Sequence, residues 1–308
     1  MNQQCDTVIG WHGISVWVPN QWMLAAVGGD RRAGYLRVDD ESMPRLQVKW
    51  SRGPVDLERK RAEYIKRLTT GKRRRPTGLE VETGIQVLSS RAKPKKEMAA
   101  FAWRGPQYGM GVLWNCEVCK RALIAQASWR AGEDDDGRET AQQVLQSLED
   151  HGIEGWDTWG VDGLAFLAPT SFELDGWKRM TRYLELRLAH GTAHLTVARW
   201  GIVSLVLRNR PVKQWYESQN ARRRDVAWQA AEALVRGHEA VTATGVRRGL
   251  IAASRRWGRR VLKRPAGDEF AAQAWHCPES NRLYMVESIG GGELLEGVAT
   301  SIACHQEA

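Results

Sequence analysis

The stretch Trp114-Asn-Cys-Glu-Val-Cys-Lys-Arg121 returns as Trp275-His-Cys-Pro-Glu-Ser-Asn-Arg282. Both read Trp-x-Cys-x-x-(Cys or Ser)-x-Arg, and every shared position is separated by 161 residues. A second set of matches is separated by 150 residues: Gly13 and Gly163, Pro19 and Pro169, Trp22 and Phe172, Leu24 and Leu174, Trp50 and Trp200. Fixed spacings of this kind point to a chain built twice. The 308 residues leave room for two domains of ordinary size. The reading divides them into 1–150 and 158–308, with a linker around 151–157.

Each half then reads in the same order. A short apolar strand runs into Pro19 or Pro169, which cannot donate to a ladder. Trp22 or Phe172 follows and packs the entering chain onto the core. Alternating strands are expected over 34–38 and 45–50, and again over 183–188 and 194–200. A basic helix comes next in each half, over 57–68 and from 212 with helical character to 236, where Gly237 would stop it. Strands over 79–83, 85–89, 99–103, 108–114 and 121–129 complete the first sheet, and strands over 271–276 and 282–288 belong to the second. An acidic loop over 132–137 precedes a closing helix over 140–150, matched by one over 293–302. The segment 249–257 reads equally as strand or short helix. The expected class is α+β: two tandem duplicated domains, each an antiparallel sheet flanked by helices.

The opening Gly13-Ile-Ser-Val-Trp-Val-Pro-Asn-Gln-Trp22 resembles the start of Mog1/PsbP-like domains, in which a strand leads into a proline and a tryptophan. Their antiparallel sheet flanked by helices has a similar element order, so the resemblance extends to both halves as a tandem pair. It implies a small binding or assembly factor rather than an enzyme, and it carries no functional residue across.

Lys and Arg total 45 against 36 Asp and Glu, a net charge of +9. The excess is concentrated in two blocks, 59–96 and 199–264. Arg-rich runs within them are the candidate anion or nucleic-acid sites: Lys72, Arg73, Arg74 and Arg75 in the first half, and Arg222, Arg223, Arg224, Arg255, Arg256, Arg259 and Arg260 in the second. Guanidinium forks grip phosphate and carboxylate with two prongs. Trp215, Tyr216, Trp228 and Trp257 are interleaved with them and would stack on bases if exposed. The plainer readings are solvated helix faces for the charges and core positions for the aromatics. Fifteen tryptophans are many for this length, and a Trp-rich core repeated twice accounts for them.

Five cysteines form no secreted disulfide framework. Cys116 and Cys119 sit in a tight turn between two strands, as the thiolates of a zinc knuckle do. The second turn keeps Cys277, places His276 beside it, and has Ser280 in place of the other cysteine. Cys116, Cys119, His276 and Cys277 would make one four-ligand site if the two turns met. Without that convergence no cofactor is called for, and the cysteines are small buried hydrophobes.

No phosphate loop, nucleophile elbow or metalloprotease His spacing is present. The chain therefore reads as a non-catalytic, cytoplasmic binding or assembly module for an acidic protein or a polyanion. Nucleic-acid binding is the alternative, and a hydrolase with a cleft between the halves is a further one. No apolar run is long enough to span a membrane, and no leader pattern opens the chain. The oligomeric state is open.

Overall fold

A computed structural model describes residues 4–70, 78–88, 96–248 and 268–305. The chain divides into two compact units, Met1–Gly163 and Leu164–Ala308. Unit 1 contains β1 (Cys5–Trp11), β2 (Ile14–Pro19), β3 (Met23–Gly29), β4 (Ala33–Asp39), β5 (Pro44–Arg52), α1 (Leu57–Thr70), β6 (Glu80–Thr83), β7 (Lys96–Arg104), β8 (Gln107–Cys116), β9 (Arg121–Arg130), α2 (Asp134–Ser147) and β10 (Trp156–Val161). Unit 2 contains β11 (Leu164–Pro169), β12 (Glu173–Met180), β13 (Tyr183–His190), β14 (Ala193–Gly201), α3 (Val203–Leu207), α4 (Val212–Asn220), β15 (Val226–Val235), β16 (His238–Arg247), β17 (Glu269–Cys277), β18 (Arg282–Ile289) and the closing helix α5 (Leu295–Ser301).

Each unit is built on a seven-stranded antiparallel sheet. The order is β3-β4-β5-β9-β8-β7-β6 in unit 1 and β12-β13-β14-β18-β17-β16-β15 in unit 2, the same path strand for strand. Even the bulge in the first strand recurs, between Leu24 and Ala26 and between Leu174 and Gly176. In unit 1, β1 also pairs with β2 and with β10. Gly10 faces Gly160 there, and a Cβ on Gly10 would lie 2.3 Å from the Thr158 carbonyl oxygen. Only glycine permits that approach.

The class differs from the expected α+β with flanking helices. Strand makes up 54% of the described residues and helix 19%, so the described fold is predominantly β. The largest single reason is the segment expected to be helical to residue 236. The helix α4 ends at Asn220, and Val226–Val235 is a ten-residue strand paired along its whole length with β16. Its alanines favour a helix locally, but ladder formation with β16 overrides that weak preference. Gly237, expected as a helix stop, is a hairpin turn with Arg236, both at positive φ. The acidic run expected as a loop is instead the start of α2. Residues 85–89 do not form the expected strand where they are described, and 249–257 lies outside the described residues.

Helical segments leave each sheet after its third strand and cover one face. In unit 1, Leu57, Tyr64, Ile65 and Leu68 of α1 pack on Phe101, Trp103 and Leu113. In unit 2, Val203, Leu207, Trp215 and Tyr216 pack on Phe270 and Leu283. The two cores fill the same place from opposite strands. Trp103 on β7 stands against Gly109 on β8, whereas Gly245 on β16 stands against Phe270 on β17. One bulky ring and one glycine share each position, so the volume is kept while its source is exchanged.

The closing helices are anchored alike. Ser147 at the end of α2 accepts a hydrogen bond from the Trp17 amide at 2.9 Å, and Ser301 at the end of α5 accepts one from Leu167 at 2.9 Å. After them the chain turns extended at Leu148 and Ile302, both buried. This places Asp150-His151 and Cys304-His305 at the knuckle end of their own sheets.

Candidate metal centres and basic surface

The two knuckles lie at the β8–β9 and β17–β18 turns. Lys120 and Asn281, each one residue before the arginine of the repeated pattern, both adopt positive φ. In the first knuckle that arginine, Arg121, ties the turn to the segments around it. It is buried, and its guanidinium donates to the backbone oxygens of Asp150 and His12, both at 2.9 Å. Burial works against its charge and lowers its pKa. The same corner holds Arg31 paired with the buried Asp157. Burial first, then the Arg31 cation, lower the His12 pKa to about 4, so this imidazole is neutral near pH 7.

In unit 1, Cys116, Cys119, Asp150 and His151 present ligand atoms that all lie within 4.8 Å of one another. Cys116 Sγ is 3.7 Å from His151 Nδ1, which is 2.7 Å from Asp150 Oδ1. The carboxylate is already fully engaged. Trp114 Nε1 donates to its Oδ2 at 2.7 Å, and Lys96 Nζ lies 3.2 Å from its Oδ1. Lys96 is itself only 5% exposed in its side chain, and its ammonium lies 4.5 Å from the centre of the Trp114 ring. Burial would raise the Asp150 pKa, but Lys96, Trp114 and His151 together hold it below the ordinary carboxylate value. Burial, with the Asp150 charge next, pushes the Cys119 thiol up to about 12.

In unit 2, His238, Cys277, Cys304 and His305 form the corresponding group, again with ligand atoms within 4.8 Å of one another. Cys277 Sγ is 3.4 Å from His305 Nδ1, Cys304 Sγ is 3.2 Å from the same nitrogen, and Cys304 Sγ is 3.5 Å from His238 Nε2. His238 Nδ1 faces Glu279 Oε2 at 3.9 Å. The first three residues are buried. Burial, then the neighbouring Cys277, raise the Cys304 thiol.

The ladders place these residues in equivalent seats. Lys96 pairs with Cys116. The β16–β17 register, Ala240 against Trp275, sets His238 beside Cys277 when continued by two further pairs of positions. Lys96 and His238 therefore occupy one seat, Cys116 and Cys277 a second, Asp150 and Cys304 a third, and His151 and His305 a fourth.

The structure groups the expected ligands by unit. Cys116 and Cys119 find Asp150 and His151, while Cys277 finds His238, Cys304 and His305. His276 belongs to neither group: its neighbour Cys277 points to the opposite face of β17, and burial lowers its pKa. Sequence reasoning missed His238, Cys304 and His305 because they lie far from the knuckle along the chain. The adjacent pair Cys304-His305 after a closing helix, beside a knuckle that lacks its second cysteine, was the available signal.

Of the basic residues expected to bind anions, Lys72, Arg73, Arg74, Arg75, Arg255, Arg256, Arg259 and Arg260 lie outside the described residues. Arg222 and Arg224 are exposed. Arg223 has a structural role. It pairs with Glu287 at 2.6 Å and Asp225 at 3.2 Å, and its guanidinium lies 4.6 Å from the centre of the Phe270 ring. Burial opposes its charge, but the Glu287 and Asp225 carboxylates more than offset that and raise its pKa. Trp215 and Tyr216 are core residues, as the plainer reading held, and Trp228 packs against that core. On α1, the exposed Arg59 and Lys60 share Glu63.

No family model and no curated protein matches the sequence. The resemblance to Mog1/PsbP-like domains thus rests on the opening motif and element order alone. Among solved structures the chain is similar to the apo structure of immunity protein TplEi of the T6SS from Pseudomonas aeruginosa. That likeness has a TM-score of 0.35 and 8% identity, and covers 92% of this chain and 87% of that one. At this level it carries no argument about fold or function. Among the described residues no helix is long and apolar enough to cross a membrane.

Proposed function

We propose that the chain is a non-catalytic binding module that recognises an acidic protein surface through the helical segment 202–224 of unit 2. The observation that carries this reading is the short helix α3. Ile202 at its start and Leu205 on its outer side are 44% and 57% exposed, and the exposed Arg208 follows them at the other end. Both ends of the helix are left-handed, with φ 57° at Ile202 and 51° at Arg208. A β-branched residue held at positive φ costs about 1–3 kcal/mol, and such strain concentrates at working surfaces. Val203 and Leu207 anchor the helix to the core beneath. Arg222 and Arg224 extend the positive charge along the same segment. An apolar pair rimmed by cations suits a protein partner with an apolar centre and acidic edge. A nucleic-acid backbone offers nothing to Ile202 and Leu205, which sets the nucleic-acid alternative second.

The test compares two probes on the full chain, a Glu/Tyr copolymer and a short DNA duplex, between about 50 and about 200 mM salt. The copolymer is expected to bind more tightly. The pair Leu205→Asp with Arg208→Glu is expected to weaken it about tenfold. Tighter binding of the duplex, or a copolymer affinity untouched by that pair, would overturn the reading.

A further inference from the structure

The four seats at the knuckle end of each sheet are filled differently, and the difference is one of charge. Unit 1 places an ammonium, a carboxylate, a thiol and an imidazole there, with Cys119 alongside. Unit 2 places two thiols and two imidazoles, with no cation of its own in the seat of Lys96. We propose that unit 2 binds one zinc ion through His238 Nε2, Cys277 Sγ, Cys304 Sγ and His305 Nδ1, and that unit 1 binds none because Lys96 already supplies the positive charge.

Three independent features support the assignment. The first is size. Zinc–sulfur bonds of about 2.3 Å and zinc–nitrogen bonds of about 2.0–2.1 Å put tetrahedral ligands roughly 3.3–3.8 Å apart. The separations of 3.4, 3.2 and 3.5 Å among Cys277, Cys304, His305 and His238 are close to that range. The second is the surroundings of the ligands. Coordination through Nε2 leaves His238 Nδ1 facing the Glu279 carboxylate at 3.9 Å, one short approach from the carboxylate–histidine arrangement that orients zinc ligands. The third is the indole behind the group. Trp114 Nε1 serves the Asp150 carboxylate, an anion. Its counterpart Trp275 Nε1 is fully buried beside Cys304 and has no acceptor in good geometry among the described residues. A metal-bound thiolate gives that N–H the anionic neighbour that Trp114 has.

The charge balance closes. Binding releases the two thiol protons to solvent, that of Cys277 from its contact with Glu279 Oε2 at 3.2 Å, and two thiolates with one zinc ion leave the four-ligand set itself neutral. In unit 1 the Lys96–Asp150 pair is already neutral, and a dication would sit beside a buried ammonium. Four protein ligands leave no open position, so the ion is structural rather than catalytic. It ties β16, β17 and the tail after α5 together at one corner.

The experiment is metal analysis of the full chain purified without chelator, followed by cobalt titration of metal-stripped protein. One equivalent of zinc is expected, and one of cobalt with the intense tetrahedral bands and thiolate charge-transfer absorption of a two-sulfur site. The variants Cys304→Ser and His238→Ala are expected to lose it. The double variant Cys116→Ser/Cys119→Ser is expected to keep it. If the unit 2 variants do not fold, the wild-type cobalt spectrum and the unit 1 double variant still decide the matter. The proposal fails if wild type takes up neither metal, if Cys304→Ser retains a full equivalent, or if the Cys116/Cys119 double variant loses it. A Cys277–Cys304 disulfide in freshly purified protein would also overturn it.

Discussion

The knuckle corners of the two units share a backbone and differ in what neutralises them. In unit 1, Lys96 and Asp150 form a buried ion pair, with Trp114 and His151 completing the carboxylate's hydrogen bonds. In unit 2 the same seats hold His238 and Cys304. A corner formed where two sheet strands and the tail of a closing helix meet buries polar side chains on one path in both cases. Burial is tolerable only when charge is matched locally. The comparison teaches that one fold can meet that requirement with an internal cation or, on the zinc proposal, with ligands for an external one.

The sharpest way to test the comparison is to convert one corner into the other. Lys96→His with Asp150→Cys gives unit 1 the residues of unit 2, and cobalt uptake is expected to rise from one equivalent to two. Failure to gain the second would show that Lys96 is not what keeps unit 1 free of metal. Next in size is Lys96→Met. It strands the buried Asp150 carboxylate, and a loss of about 3–5 kcal/mol is expected in urea unfolding. Adding Asp150→Asn should return part of it, because the uncompensated charge is then gone.

Smaller effects probe the exchange of ring and glycine in the two cores. A Cβ on Gly109 would lie 2.0 Å from the Trp103 ring, so Gly109→Ala should cost about 1–3 kcal/mol. Combining Gly109→Phe with Trp103→Gly imitates Phe270 and Gly245, and should be more stable than Gly109→Phe alone. Equal stabilities would mean the two cores are not interchangeable in this respect. The helix anchors should behave alike: Ser147→Ala and Ser301→Ala are each expected to cost about 0.5–1.5 kcal/mol, and a cost confined to one unit would break the equivalence there.

The last prediction concerns pH. Asp150 is held below its ordinary value in the folded state, so its contribution is fully present above the unfolded carboxyl pKa of about 3.9. That contribution is lost as pH falls through the lower folded value. Wild type should therefore lose stability more steeply than Asp150→Asn below about pH 4, and parallel acid profiles would remove Asp150 from the account.

Much of the sheet could be read from residue pattern because its information is local. Alternation marks strands such as β4, β13 and β14, and prolines mark the ends of β2 and β11. The strands that went unread carry weaker alternation. β3 is Met-Leu-Ala-Ala-Val-Gly-Gly, and β15 is rich in alanine, which suits a helix until a partner strand is present. The candidate site was legible only in its cysteine turns. Cys116 and Cys119 are three apart and visible as a pair, whereas His238, Cys277 and Cys304 are brought together by the ladder and by the path after α5.

The sequence by itself determined the repeated knuckle, its arginine, the strands with strict alternation and the surplus of positive charge, because each depends on neighbours a few residues away or on a sum over the chain. Only the tertiary structure decided that Val226–Val235 is a strand, that Arg223 spends its charge on Glu287, and that Lys96 and His238 occupy the same seat. Those outcomes depend on which distant segment supplies the hydrogen bonds and the countercharge, and a one-dimensional pattern does not record that.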